Sequence, residues 1–241
     1  MKSQPSSAQT IREQLLLSMK EGAYARCARL PRESILAGQL GISRTQLRDI
    51  LASLEREGFI TRRHGVGTLI NHHVLEIQTR MDLEVEFLDL IRQSGYRADL
   101  TDVRAADGAA DESIAEKLRI PVGSPVLLVS RLCTADGHPA VYCEDILPKS
   151  LIQRDYTQQD LRLPIFHFLQ TVCGATAYLD LTNLHPAVAD ARLAEIFQLP
   201  IGTPLLWMDE VDYDIDGNPV FCSTEYFVDH FFCHTVVRKK L

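Results

Sequence analysis

Apolar residues in the first quarter of the chain recur at helical spacing. Over 8–21 (AQTIREQLLLSMKE) they fall at Ile11, Leu15, Leu16 and Met19, one face of a helix that Gly22 would stop. The pattern predicts a second helix over Glu33–Leu40, with Ile35, Leu36 and Leu40 turned inward. Gly41 breaks it and Ile42 plugs the turn. Ser43 is a good N-cap for a third helix from Arg44 to about Glu57, with Leu47, Leu51 and Leu54 as its buried stripe. Two helices joined by a short Gly-containing turn predict a helix-turn-helix. After Gly58 the period shortens. Residues 59–61 and 68–70 read as two short strands around a basic turn, Arg62 to Gly67, which predicts a wing beside the third helix.

Beyond Thr79 the pattern repeats. AEKLRIPVGSPVLLVSRLCTADGHPAVYCED from Ala115 is matched by AEIFQLPIGTPLLWMDEVDYDIDGNPVFCSTE from Ala194. Each copy predicts a short helix, a turn, a strand, an Asp-Gly hairpin and a return strand. Further helices are expected near 83–94 and 165–173, and strands near 98–105 and 176–184. The fold class is therefore α+β. The expected domains are 1–70 as a helix-turn-helix head, 71–79 as a linker carrying His72 and His73, and 80–241 as a second domain built on the repeat.

Charge sharpens this division. The chain carries −7 overall, but residues 1–75 carry +5 and residues 76–241 carry −12. The basic part can meet phosphate while the acidic part stays away from it. The first turn of the third helix offers Arg44, Thr45, Gln46 and Arg48. Arg can grip guanine with two hydrogen bonds, Gln can pair with adenine, and Thr can meet phosphate or a thymine methyl. The wing adds Arg62, Arg63, His64 and Gly65.

The stretch LPRESILAGQLGISRTQLRDILASLEREGFITRRHGVGTLI, Leu30 to Ile70, resembles the winged helix-turn-helix of the GntR family of bacterial regulators. The resemblance implies DNA contacts from Arg44, Thr45, Gln46, Arg48, His64 and Gly65. One departure stands in the second helix, where Ser34 replaces an arginine of the family pattern and Arg32 offers itself two positions earlier.

The repeat, through LRIPVGSPVLLVSR and DGHPAV, resembles the UTRA effector domain of the HutC subfamily, whose fold is similar to chorismate lyase. That resemblance implies a small-molecule effector and a homodimer whose two heads meet a pseudo-palindromic operator. Strand alternation sets Leu127, Val129, Arg131 and Cys133 on one face. A buried Arg131 needs an anionic partner. Either an effector carboxylate, phosphate or sulfonate supplies it, or Glu144 on the neighbouring strand or Glu210 at the equivalent repeat position does. Ser223, Glu225 and Tyr226 fall where the family supplies late pocket residues. His167, in LPIFHFL, stands near the start of a helix where the family's phosphate-binding serine is replaced by Pro164.

Other chemistry is sparse. The six cysteines (Cys27, Cys133, Cys143, Cys173, Cys222 and Cys233) include no CxxC pair, which argues for small buried hydrophobes. His230 and His234 have i, i+4 spacing but fall where strand and tail are expected. Neither metal nor cofactor is predicted. No apolar run reaches a membrane span and the N-terminus lacks a signal-like stretch, so a cytoplasmic protein is expected. The expected function is a ligand-responsive repressor. An activator of the same architecture and a lyase-like enzyme fused to a DNA-binding head are the alternatives, but no nucleophile–base arrangement supports catalysis.

Overall fold

The computed structural model describes residues 8–239, which divide into two compact units. Residues 8–83 with 234–239 form the first, and Glu84–Cys233 the second.

In the first unit α1 (Ala8–Lys20), α2 (Glu33–Leu40) and α3 (Arg44–Arg56) precede the hairpin β1 (Ile60–Arg63) and β2 (Gly67–Ile70). Ile11, Leu15, Met19, Leu47, Leu51 and Leu54 are all at most 1% exposed. Each such side chain contributes about 1.5–3 kcal/mol of burial. Ile35 departs from expectation. It is 53% exposed, because Leu36 and Ala37 are the residues of this short helix that face the core. Gly41 takes a left-handed conformation (φ +67°) and bonds back to the end of α2, which lets the chain reverse before α3. Leu30 N donates to Thr68 O and Ile70 N to Ala28 O, so the loop before α2 braces the wing.

The expected linker, 71–79, is instead part of this unit. Residues His72–Leu75 form α4, and Val74 and Leu75 are buried in the helix-turn-helix core. Asn71 Nδ2 donates to Gly58 O at 2.7 Å, and His72 Nε2 lies 2.9 Å from Cys27 O. β3 (Thr79–Arg80) pairs in parallel with the C-terminal strand His234–Thr235. Arg80 Nη1 donates to Glu57 O at 2.7 Å and its guanidinium sits over the Phe59 ring. Residues 234–239 thus belong with the head rather than with the second domain.

The second unit begins with α5 (Phe87–Gln93) and is built on one antiparallel six-stranded sheet. The first repeat supplies β4 (Ala98–Ala109), α6 (Glu112–Leu118), β5 (Pro125–Ala135) and β6 (His138–Pro148). α7 (Gln158–Leu161) and α8 (Ile165–Phe168), the latter continuing as a wider turn to Cys173, connect the repeats. The second repeat supplies β7 (Leu179–Val188), α9 (Ala191–Phe197), β8 (Pro204–Tyr213) and β9 (Pro219–Phe227). The strand order β4-β5-β6-β9-β8-β7 is that of two like halves meeting between β6 and β9.

The halves match in detail. Asp111 and Asp190 cap α6 and α9, each accepting at 2.8 Å from the backbone three residues on. Both helices end on a left-handed residue that is not glycine, Arg119 (φ 51°) and Gln198 (φ 55°). One sheet face packs under α8, with Phe168, Leu169 and Phe221 fully buried against Leu127 and Val129. The other face carries α6 and α9. Each helix pairs with a strand of the opposite repeat, Lys117 with Asp209 and Arg192 with Glu144.

Candidate DNA interface and effector site

Most of the polar residues expected to meet DNA lie on the surface of the head. Ser43 Oγ accepts from Gln46 N at 3.1 Å and fixes the start of α3. Leu47 then points inward, while Arg44, Thr45 and Arg48 are exposed and Gln46 is half-buried. Arg32 and Ser34 are exposed at the start of α2. In the wing, Arg62 and Arg63 close β1, and His64, Gly65 and Val66 form an exposed turn with Gly65 at φ +73°.

Not all of these cations are equally available. Arg62 donates through N and Nε to the two carboxylate oxygens of Glu55 at 2.7 and 2.6 Å. Burial works against the Glu55 charge, but these bonds hold its pKa below the ordinary value. Arg48 Nε donates to Glu33 at 2.8 Å. Arg32, Arg44 and Arg63 have no protein partner among the described residues. A further arginine, not singled out from sequence, stiffens the wing: Arg29 Nη1 donates to Val66 O at 3.0 Å.

In the second unit, a small recess of about 30 Å³ opens beneath the start of α8. Arg131, Asp145, Cys133, Cys143, Glu86, Phe87 and Arg162 line it, with Pro164 and Ile165. Arg131 is 5% exposed and pairs with the fully buried Asp145. Its Nε donates to Leu161 O at 3.3 Å, and its Nη2 is buried with no hydrogen-bond partner. Burial raises the Asp145 pKa and Arg131 opposes that rise. Burial also pushes Glu86 to about 7, against the pull of Arg131. Burial drives the Cys133 thiol to about 12 and the Cys143 thiol well above its ordinary value, so both are inert hydrophobes here.

The partner of Arg131 is therefore Asp145, not Glu144 or Glu210. A tight hairpin at Asp136-Gly137 would set Arg131 opposite Tyr142. A bulge between the pairs Thr134–Pro139 and Cys133–Val141 shifts the register by one, so Arg131 faces Cys143. One residue of slip moves every later side chain to the other face. Glu144 thereby turns away, 3.0 Å from Arg192, with Tyr142 and Tyr226 on the same outer face. Glu210 sits on the α8 face but three strands from Arg131, bonded to Thr182. Ser223 and Glu225 share that face, with Ser223 Oγ donating to Glu225 at 3.0 Å. His167 is exposed and does not line the recess; its carbonyl accepts from Thr171 Oγ1. Of the residues expected to hold an effector, Arg131 alone lines it. Asp145, Glu86 and Arg162 were not foreseen.

Among the described residues no helix is long and apolar enough to cross a membrane. The gntR family of bacterial regulatory proteins matches residues 7–70, and the UTRA domain matches residues 93–232. The chain is 27% identical over 229 residues to the HTH-type transcriptional regulator Rv0792c of Mycobacterium tuberculosis, covering 90% of this chain and 79% of that one. It is 26% identical over 201 residues to the HTH-type transcriptional regulator GgaR of Escherichia coli, covering 83% and 77%. The crystal structure of YydK from Bacillus subtilis superposes with a TM-score of 0.77 at 20% identity, covering 96% of this chain and 99% of that one. PhnF from Mycobacterium smegmatis gives 0.59 at 22% identity, covering 95% and 99%. The two family models between them cover the winged helix-turn-helix and most of the second unit, and the chain belongs to the GntR family of bacterial DNA-binding transcription regulators, in its UTRA-bearing branch.

Proposed function

We propose that the protein is a dimeric repressor that a small anionic metabolite releases from a pseudo-palindromic operator. The observation that carries the effector reading is the buried, unpartnered Nη2 of Arg131 at the recess. Asp145 already balances the charge of Arg131, so the guanidinium has one unsatisfied donor to offer. An unmade bond of this kind costs about 1–3 kcal/mol until an acceptor arrives. Arg162, exposed at the same recess, adds a second cation for a carboxylate or phosphate. The domain containing this recess is the effector-binding domain of the family, which supports the recess as the effector's seat.

On the DNA side, Arg44, Thr45 and Gln46 would read bases, with Arg63, His64 and Gly65 entering the minor groove. Arg48 and Arg62 would serve only after loosening from Glu33 and Glu55. Arg32 would take the place of the arginine missing at Ser34. Two heads per dimer would engage half-sites about one helical turn apart. Effector and operator would oppose each other reciprocally.

The test is fluorescence anisotropy with the chain's own upstream DNA. Arg44→Ala should lower affinity by about 1–3 kcal/mol, and Arg63→Ala should reduce the salt slope by about one phosphate's worth. Unchanged binding in both would end this interface assignment. For the effector, a thermal-shift screen of anionic metabolites should yield a stabilising compound. Its effect should weaken in Arg162→Ala, which removes an exposed side chain whose Nη2 donates to Leu100 O at 2.7 Å. A compound that binds equally well to that variant docks elsewhere.

A further inference from the structure

The two repeats carry different charges at equivalent places. The repeat alignment sets Arg131 against Glu210 and Asp145 against Glu225. The first half thus holds a buried ion pair. The second half holds two buried carboxylates where the first has one cation and one anion. More acids gather there. Asp212 is two residues along β8 on the same face, and its strand partner is Asp180. Glu84 joins from the segment before α5. Ligand oxygens of Glu84, Asp180 and Glu210 all lie within 4.8 Å of one another. Asp212 is 1% exposed, and its Oδ2 is buried without a hydrogen-bond partner. Among the described residues no lysine or arginine forms an ion pair with any of these five acids.

We propose that Glu84, Asp180 and Glu210, with Asp212 beside them on β8, form a binding site for a hard divalent metal ion, which supplies the positive charge that Arg131 supplies in the other repeat. Three features favour a metal over an organic cation. The donors are oxygens alone, the set that suits Mg²⁺, Mn²⁺ or Ca²⁺. They converge from three separate segments on a volume the size of one ion. The Asp212 carboxyl group meets that of Glu210, yet its Oδ2 lacks the partner that buried acceptors almost always have. Thr182 Oγ1 fixes the two neighbouring carboxylates, lying 3.0 Å from Asp180 Oδ2 and bonding Glu210 Oε2. Glu84 is exposed and half-buried Asp180 lies beside it, which leaves the ion a path inward. Burial and mutual repulsion raise the pKa of Glu210 and Asp212, the response of carboxylates that lack a counter-charge.

The site lies apart from the Arg131 recess, and its test needs neither DNA nor effector. Full-length protein stripped of metal is titrated with Mn²⁺, and free Mn²⁺ is followed by electron paramagnetic resonance. Calorimetry with Mg²⁺ and Ca²⁺ runs alongside. Saturable binding of one ion per chain is expected, with a rise in melting temperature. Glu210→Gln and Asp212→Asn should weaken binding by at least the ~10–100-fold that even outer-sphere changes cause at metal sites. The same variants should melt at or above the metal-free wild-type temperature, because they remove buried repulsion. Asp229→Asn, a surface carboxylate control, should bind as wild type. If Glu210→Gln fails to fold, Asp180→Asn carries the same expectation from a less buried position. Absence of saturable binding by all three ions would overturn the site. So would unchanged Mn²⁺ affinity in the folded variants, or stabilisation by α,ω-diamines without any by metal.

Discussion

The two repeats of the effector unit share their helix caps, their left-handed helix ends and their strand pairing, yet they treat charge in opposite ways. In the first, Arg131 and Asp145 neutralise each other in the interior. In the second, Glu210, Asp212 and Glu225 are buried together and their pKa values rise, first through burial and then through mutual repulsion. A duplicated scaffold has kept its backbone rules and let its buried chemistry diverge. The backbone rules persist because each cap and turn satisfies local hydrogen bonds that no distant residue can replace. Buried charges are free to change only as sets, because a lone change leaves a partner uncompensated. The first region carries its own counter-charge, and among the described residues the second has no lysine or arginine paired with its buried acids.

The sharpest way to break this comparison is to remove the cation of the first repeat. Arg131→Ala leaves Asp145 fully buried without its partner, and should cost about 3–5 kcal/mol. Replacing both, Arg131→Met with Asp145→Leu, should recover most of that loss. The second repeat should answer with the opposite sign: Glu210→Gln in metal-free protein should stabilise by about 1 kcal/mol. Urea unfolding followed through Trp207, the sole tryptophan of the chain, whose ring is tilted 31° against His185 with centroids 4.5 Å apart, reads the effector unit in each case. If Glu210→Gln destabilises as Arg131→Ala does, the two halves are electrostatically alike and the comparison fails.

Proton dependence sharpens it further. Glu86 has a raised pKa in the fold, so protonation favours the folded state. Its stabilising contribution is complete below the ordinary carboxylate value near 4.5. It disappears as pH rises through about 7. Glu210 and Asp212 shift in the same direction and add to the effect. In the presence of chelator, the urea midpoint should fall as pH is raised across this window. Asp212→Asn should flatten the fall, since it removes one titrating acid of the second repeat. An unaltered pH profile in that variant would mean that the cluster is not titrating.

What could be read from the chain alone follows the same divide between local and buried chemistry. The helix-turn-helix was legible because Leu47, Leu51 and Leu54 keep a strict stripe, and because Ser43 and Gly41 act within a few residues of themselves. The repeat was legible from its Pro-Gly and Asp-Gly turns. The pairing of Arg131 was not, because it depends on a single bulge that no local pattern announces. Nor was the packing of 71–83 on the head, since β3 finds its partner more than 150 residues later, at His234. The acidic cluster escaped for the same reason: Glu84, Asp180 and Glu210 are neighbours only through the topology of the sheet.

The smallest effect separates the two hairpins. The first reverses in two residues, Asp136 (φ 50°) and Gly137 (φ 86°), and the Asp136 carboxylate accepts from Arg97 N at 2.8 Å. The second runs from Asp214 to Asn218. There the Asp214 carboxylate gathers the backbone N–H groups of Asp216 and Asn218 at 2.9 and 2.8 Å, which lowers its pKa. Both turns use a left-handed glycine, Gly137 and Gly217 (φ 79°), but only in the second does one carboxylate gather two backbone N–H groups of the loop itself. Gly137→Ala should cost about 1–2 kcal/mol, the strain of a methyl-bearing residue in the left-handed region. Asp214→Ala should loosen the second loop with a smaller loss, seen as faster amide exchange at Asp216 and Asn218. Protonating Asp214 in acid should mimic the substitution, because the carboxylate holds those amides only while charged. If Asp214→Ala costs as much as Gly137→Ala, the second hairpin is held as the first is, and their difference in length is the whole of their difference.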